Sequence, residues 1–212
     1  LNAPISNIET KVRMTSQRWI LWTNGPTLGP AVLYWSELII FILLAIGLTR
    51  VKFSPLNLAS WILLGLGLSL NNWAVLILTA TWFAAITASE YRRSDMRESN
   101  YNASQILLYI FSVITLLSIV AIVPVSLLSS PDMGIVGNYS SNYQLVWFAD
   151  QSSGVLREIS IFSLPIWVYK GFMLMWVIWL SFSLIKWVKW AWVKLGKQGY
   201  WKQTPKISIP KK

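Results

Sequence analysis

Long uncharged apolar runs, separated by short polar joints, dominate the pattern of the chain. Crossing a hydrocarbon core of roughly 30 Å takes about 20 helical residues at about 1.5 Å each. Residues 31–48, 106–128 and 164–185 meet that requirement. Residues 56–89 are also apolar, but one straight helix of that length would run about 50 Å. The polar pair Asn71-Asn72 divides the stretch. It predicts a helix over 59–70 of about 18 Å, a second over 73–89 of about 26 Å, and a hairpin tip at Asn71 and Asn72. The first helix is too short to cross unaided, so a broken, re-entrant hairpin shielded by protein is expected.

Before the first span the period changes. Ile8, Thr10, Val12 and Met14 alternate with Glu9, Lys11, Arg13 and Thr15, the period of two of a half-buried β-strand. A single strand is not stable alone, and the sequence starts at Leu1, so residues 1–24 are expected to end an upstream extramembrane, periplasmic domain. The fold class expected is an all-α membrane protein. It is a polytopic helical bundle of three clear spans plus a broken or re-entrant helical hairpin, after a short N-terminal β-strand from the upstream domain. Residues 25–185 form the bundle, with an outer loop at 129–163, and residues 186–212 a basic, Trp-rich, amphipathic cytoplasmic tail. Pro30 and Pro165 suit first helical turns, where a missing N–H costs nothing, and Pro124 is expected to kink the third clear span's neighbour, the helix over 106–128.

Composition agrees. Hydrophobic residues make up 55% against 12% charged, with a mean hydropathy of +0.52, which excludes an ordinary soluble domain. Cys and His are both absent, removing the usual ligands for zinc, iron–sulfur clusters and His-ligated haem, together with Ser-His-Asp and Cys-His catalysis. No cofactor, metal site or catalytic residue is expected. Trp22, Tyr34 and Trp35 at one end, and Trp187, Trp190 and Trp192 at the other, fit interfacial aromatic belts.

Charge counting leaves two topologies open, four single crossings with both termini inside, or N-terminus out, hairpin, and C-terminus in. Glu37 and Lys170 favour the second. Measured from Pro30 and Pro165, both would then lie about 8–10 Å deep from the same face, where each charge needs a partner. They are expected to form a structural intramembrane pair that braces the first span to the last. The net charge of +10 comes largely from the C-terminal end, where eight of the 18 basic residues follow Ile185. On a helical wheel Lys186, Lys189, Lys194 and Lys197 share one face opposite Val188, Ala191, Trp192 and Leu195. That pattern predicts an extension lying on the cytoplasmic leaflet and attracting anionic lipid head groups, at about 1 kcal/mol per basic residue. Membrane lipids, not nucleic acid, are the expected partners. Gly65 with Ser69, and Ala80, Ala84 and Ala88, offer small-residue faces for helix packing or for a homo-oligomer.

Four segments carry a resemblance: the run from Trp22 through Thr23-Asn24-Gly25-Pro26-Thr27-Leu28-Gly29-Pro30 to Trp35; Leu63-Leu64-Gly65-Leu66-Gly67-Leu68-Ser69; Asp132-Met133 with Gly137-Asn138-Tyr139-Ser140; and Leu164-Pro165-Ile166-Trp167-Val168-Tyr169. Together they resemble the C-terminal membrane region of very large proteobacterial inner-membrane and envelope proteins. The resemblance implies a multi-pass bacterial inner-membrane location with an exported upstream region, and it implies no chemistry. The function expected is a non-enzymatic inner-membrane anchor and assembly module for a large exported domain of the same chain, with a second copy or an envelope protein as further partner. The alternative is a component of a transporter or envelope signalling complex in which Glu37 couples to proton, ion or helix movement.

Overall fold

The computed structural model describes residues 5–25, 28–50, 55–69, 73–92, 98–152 and 158–197. Among them, helices and strands follow in the order β1 (Ile5–Arg13), β2 (Arg18–Asn24), β3 (Ala31–Val32), α1 (Tyr34–Arg50), α2 (Leu58–Ser69), α3 (Trp73–Arg92) and α4 (Glu98–Leu128). Then come β4 (Ile135–Val136), β5 (Gln144–Ser152), β6 (Ser160–Pro165) and α5 (Ile166–Gly196). The molecule is mostly helical. Asn71 and Asn72 lie outside the described residues.

Strand β1 follows its sequence pattern closely: Ile8, Thr10, Val12 and Met14 are half-buried while Glu9, Lys11, Arg13 and Thr15 are exposed. Its partner, however, belongs to this same chain. β1 pairs antiparallel with β5, β2 with β6 and β3 with β4, so the segment before α1 is zipped to the segment between α4 and α5. The strand expected near the start of the chain thus has a partner in residues 144–152, and β2 one in residues 160–165, each in a two-stranded sheet. Ile20, Met133, Ile135, Leu145 and Trp147 form the small core of this strand layer.

The layer is continuous with the helix ends. α1 starts one residue after β3, and α5 follows β6 directly, with the Ile166 amide donating to the Gln17 carbonyl at 2.8 Å. Pro30 therefore precedes a strand, and the first helix opens at Tyr34 instead of within the Pro30 turn. Three helices are long and apolar enough to cross a membrane, over Trp73–Glu90, Asn100–Leu128 and Ile166–Gly196. α1, with 17 residues, and α2, with 12, are shorter.

α5 packs against α2, α3 and α4, and α1 packs against α2. Along α5 the buried positions Tyr169, Met173, Trp176, Leu180, Ser183, Trp187, Ala191 and Leu195 recur every three or four residues, one continuous stripe. The stripe does not stop at Ile185. Residues 186–196 continue α5 without a break, and Trp187, Ala191 and Leu195 sit in or against the bundle. Residues 186–196 of the expected tail are thus part of α5, and residues 198–212 lie outside the described residues. A helix of 31 residues is about 46 Å long, more than the roughly 30 Å that a hydrocarbon core requires, and it packs on α3 and α4. Pro124 lies within α4, which continues to Leu128.

The outward faces are apolar and exposed: Ile39 and Leu43 on α1, Leu107, Ile110, Leu117 and Val125 on α4, and Ile178 and Phe182 on α5. A contiguous apolar exterior of this extent is what a surface in contact with lipid tails presents.

α2 and α3 form an antiparallel pair whose open end lies far from the strand layer. Near the start of α2, Trp61 meets Phe83 edge-on at 6.1 Å, and Phe83 meets Trp187 at 5.4 Å. Trp73, at the start of α3, stacks on Phe41 at 4.2 Å, and Phe41 lies seven residues into α1, about 10 Å along that helix. The expected division of residues 56–89 into a short and a longer helix is present, and α3 is itself long and apolar enough to cross a membrane.

Candidate functional site

Two constellations stand out, one at each end of the bundle. At the strand end, Trp147 is almost fully buried between two glycines: a Cβ on Gly25 or Gly29 would overlap its indole. The glycines thus form a slot, and the Leu28 carbonyl beside it accepts from the Phe148 amide at 2.8 Å and from Asn138 Nδ2 at 2.7 Å. Gly137, at φ +107°, supplies the backbone conformation that lets the turn before β5 approach Gly29 closely. Beneath, the Ile20 amide donates to the Met133 sulfur at 3.3 Å, and Trp35 Nε1 donates to the Leu21 carbonyl at 2.8 Å. The entering chain is thereby fastened to both α1 and the α4–α5 connection.

At the opposite end, Glu90 of α3 receives two lysines of α5. Its Oε2 accepts from Lys194 Nζ and its Oε1 from Lys197 Nζ, the latter at 2.8 Å. The Glu90 and Lys194 side chains are each about three-quarters buried, so this clasp is better shielded than an ordinary surface pair. One turn away Gln105, fully buried on α4, donates from Nε2 to the Leu195 carbonyl at 3.2 Å. Farther in, Trp82 Nε1 donates to Ser112 Oγ at 2.8 Å, joining α3 to α4. Polar bonds of this kind bind helices that lack a hydrophobic drive toward one another.

The residues singled out from sequence are distributed differently from expectation. Glu37 and Lys170 form no ion pair; Lys170 is exposed and Glu37 half-buried. Because β3 takes up Ala31–Val32, Glu37 falls in the first turn of α1, and Lys170 is four residues past the start of α5, at similar depth near the strand layer. What keeps them apart is packing: α1 lies against α2, while α5 lies against α2, α3 and α4. The N-terminal dipole of α1 favours the carboxylate without a lysine. Lys186 and Lys189 are exposed, in keeping with a basic face, whereas Lys194 and Lys197 are committed to Glu90. Trp187 is core and Trp190 packs on Phe83 at 5.6 Å, while Trp192 keeps the exposure of a belt residue. Gly65 packs under Phe41. Glu90, Gln105 and Met133 were not anticipated, although Glu90 is the acid nearest the end of an apolar run and faces a lysine-rich segment.

Between the strand layer and the hairpin lies an apolar cavity of about 470 Å³. Trp19, Tyr34 and Tyr169 roof it, with Trp19 edge-on to Tyr169 at 5.4 Å and to Tyr34 at 6.4 Å. Leu63, Leu66 and Gly67 of α2 form its floor. Among the described residues no group of three His, Cys, Asp or Glu side chains gathers. No protein-family model, curated protein or solved structure matches this chain.

Proposed function

We propose that this chain is a non-enzymatic membrane anchor and assembly module, set in a bacterial inner membrane with the strand layer on the periplasmic side and the end of α5 in the cytoplasm. The carrying observation is the full-length pairing of β1 and β2 with β5 and β6. A load arriving through β1 is passed through β2 and β6 into α5, the helix that contacts α2, α3 and α4. An extramembrane domain joined ahead of β1 would be held at a fixed height and orientation. Pairing across residues 5–32 and 129–165 also requires both segments on one side of the bilayer. Four single crossings would separate them, whereas the re-entrant hairpin unites them. The exposed Lys186 and Lys189 supply the positive charge that suits the cytoplasmic leaflet and its anionic head groups.

Single cysteines on this cysteine-free chain test the reading. In intact cells, a thiol reagent that does not cross the inner membrane should label Ser6→Cys and Ser141→Cys and spare Pro55→Cys and Lys189→Cys. Labelling of Ser6→Cys but not Ser141→Cys, or labelling of Pro55→Cys, would refute the arrangement. A second reading, in which Glu37 couples to ion or helix movement, draws on a half-buried carboxylate in the first turn of α1 that has no ion pair among the described residues. It would gain from a Glu37→Gln chain that folds normally yet leaves the host complex inactive.

A further inference from the structure

The cavity beneath Trp19 has the position, lining and length of a site for a lipid tail. Its wall is α5 from Tyr169 to Trp179, ten residues or about 15 Å, starting just below the strand layer. That length equals half of the roughly 30 Å hydrocarbon core, the depth of one leaflet. No charged side chain lines it. On the hairpin side it is bounded by Leu63, Leu66 and Gly67 of α2. Phe172 and Met175, 59% and 67% exposed, lie at its edge and place its mouth on the lipid-facing side of α5, not within the bundle. Its volume lies within the about 300–1,000 Å³ typical of small-molecule sites.

We propose that this cavity holds one acyl chain of a phospholipid from the strand-side leaflet, inserted between α5 and α2 beneath the Trp19–Tyr34–Tyr169 roof. The tail fills the space these elements enclose, so that strand layer, α2 and α5 are joined through a bound lipid. The proposal rests on the membrane reading above, and the experiment separates the two.

The whole chain is reconstituted in phosphatidylcholine nanodiscs containing a phosphatidylcholine with a photoactivatable group midway along one acyl chain. These discs are then exchanged into unlabelled lipid before irradiation, and crosslinks are mapped by mass spectrometry. Samples irradiated before exchange should be labelled on the α4 face at Ile110 and Leu117, which reports that the bundle lies in lipid; failure there overturns the membrane reading itself. After exchange, label should persist at Leu63–Gly67 and Tyr169–Trp176 while it is lost from α4. Leu66→Trp, which fills the floor, should abolish the persistent label and leave the pre-exchange α4 label unchanged, and Leu66→Phe serves if the larger residue does not fold. Label on α4 with none persisting in the cavity overturns the proposal. So does persistent cavity label that is indifferent to both Leu66 variants, and so does retention of a carried-over detergent in place of the phospholipid.

Discussion

Replacing Gly67 with alanine adds one methyl group where α2 lies against the Trp176 indole of α5. A Cβ there would overlap the indole of Trp176, a ring only 7% exposed, whose Nε1 donates to the Leu63 carbonyl at 2.8 Å. Gly67 is four residues past Leu63, on the same face of α2. The missing side chain is what lets the indole lie across that turn and reach the carbonyl. With alanine, the ring must move and the bond is lost. Overpacking costs about 1–3 kcal/mol and the lost bond about 0.5–1.5 kcal/mol. Against this, alanine is the better helix former by about 1 kcal/mol. The net expectation is a loss of about 2 kcal/mol.

The same substitution made in a Trp176→Ala background removes both penalties and keeps only the propensity gain. There Gly67→Ala should stabilise by about 0.5–1 kcal/mol, so the sign of the effect reverses between the two backgrounds. Reversible unfolding in mixed micelles, or forced dissociation of a doubly tagged chain in bilayers, supplies the four stabilities of the cycle. Equal effects of Gly67→Ala in both backgrounds would refute the account of Gly67 as the seat of the indole.

Three further outcomes follow from the same geometry. Glu90→Gln removes the acceptor charge shared by Lys194 and Lys197 and should cost about 1–3 kcal/mol, with Lys197→Ala costing less than Lys194→Ala because Lys197 is the more exposed; thermal unfolding of the three variants checks the ranking. Glu37→Gln should cost no more than about 1 kcal/mol, and Lys170→Met should not rescue it; a coupling energy clearly above about 0.5 kcal/mol in that double-mutant cycle would restore the brace. Trp147→Ala leaves the glycine slot empty and should cost about 3–5 kcal/mol locally, seen as rapid amide exchange in β1 and β5 while the α3–α4–α5 amides stay protected.

The features legible in the sequence were those written as a period. β1 was readable because its half-buried and exposed residues alternate without error from Ile8 to Thr15. β5 was not, because Leu145, Val146 and Trp147 are all buried, and a short unbroken apolar run has no period to distinguish strand from helix or loop. With the partner unseen, the pairing of β1 was assigned to a domain elsewhere. The split of residues 56–89 into two helices was legible from length and from the polar pair Asn71-Asn72, since one straight helix of that length would run about 50 Å. The Glu37–Lys170 brace is absent although both residues stand at similar depth, because equal depth does not make two helices neighbours, and α1 packs on α2. The tail failed differently. A boundary was drawn at Lys186 because charge begins there, yet lysine is a good helix former and a basic residue on one face does not interrupt packing on another. The stripe from Tyr169 to Leu195 runs straight through that boundary. The cavity belongs to neither kind of signal. It lies where α2 and α5 meet beneath a roof built by residues more than a hundred positions apart, Trp19 and Tyr169, so it becomes visible only once the strands have closed over the helices.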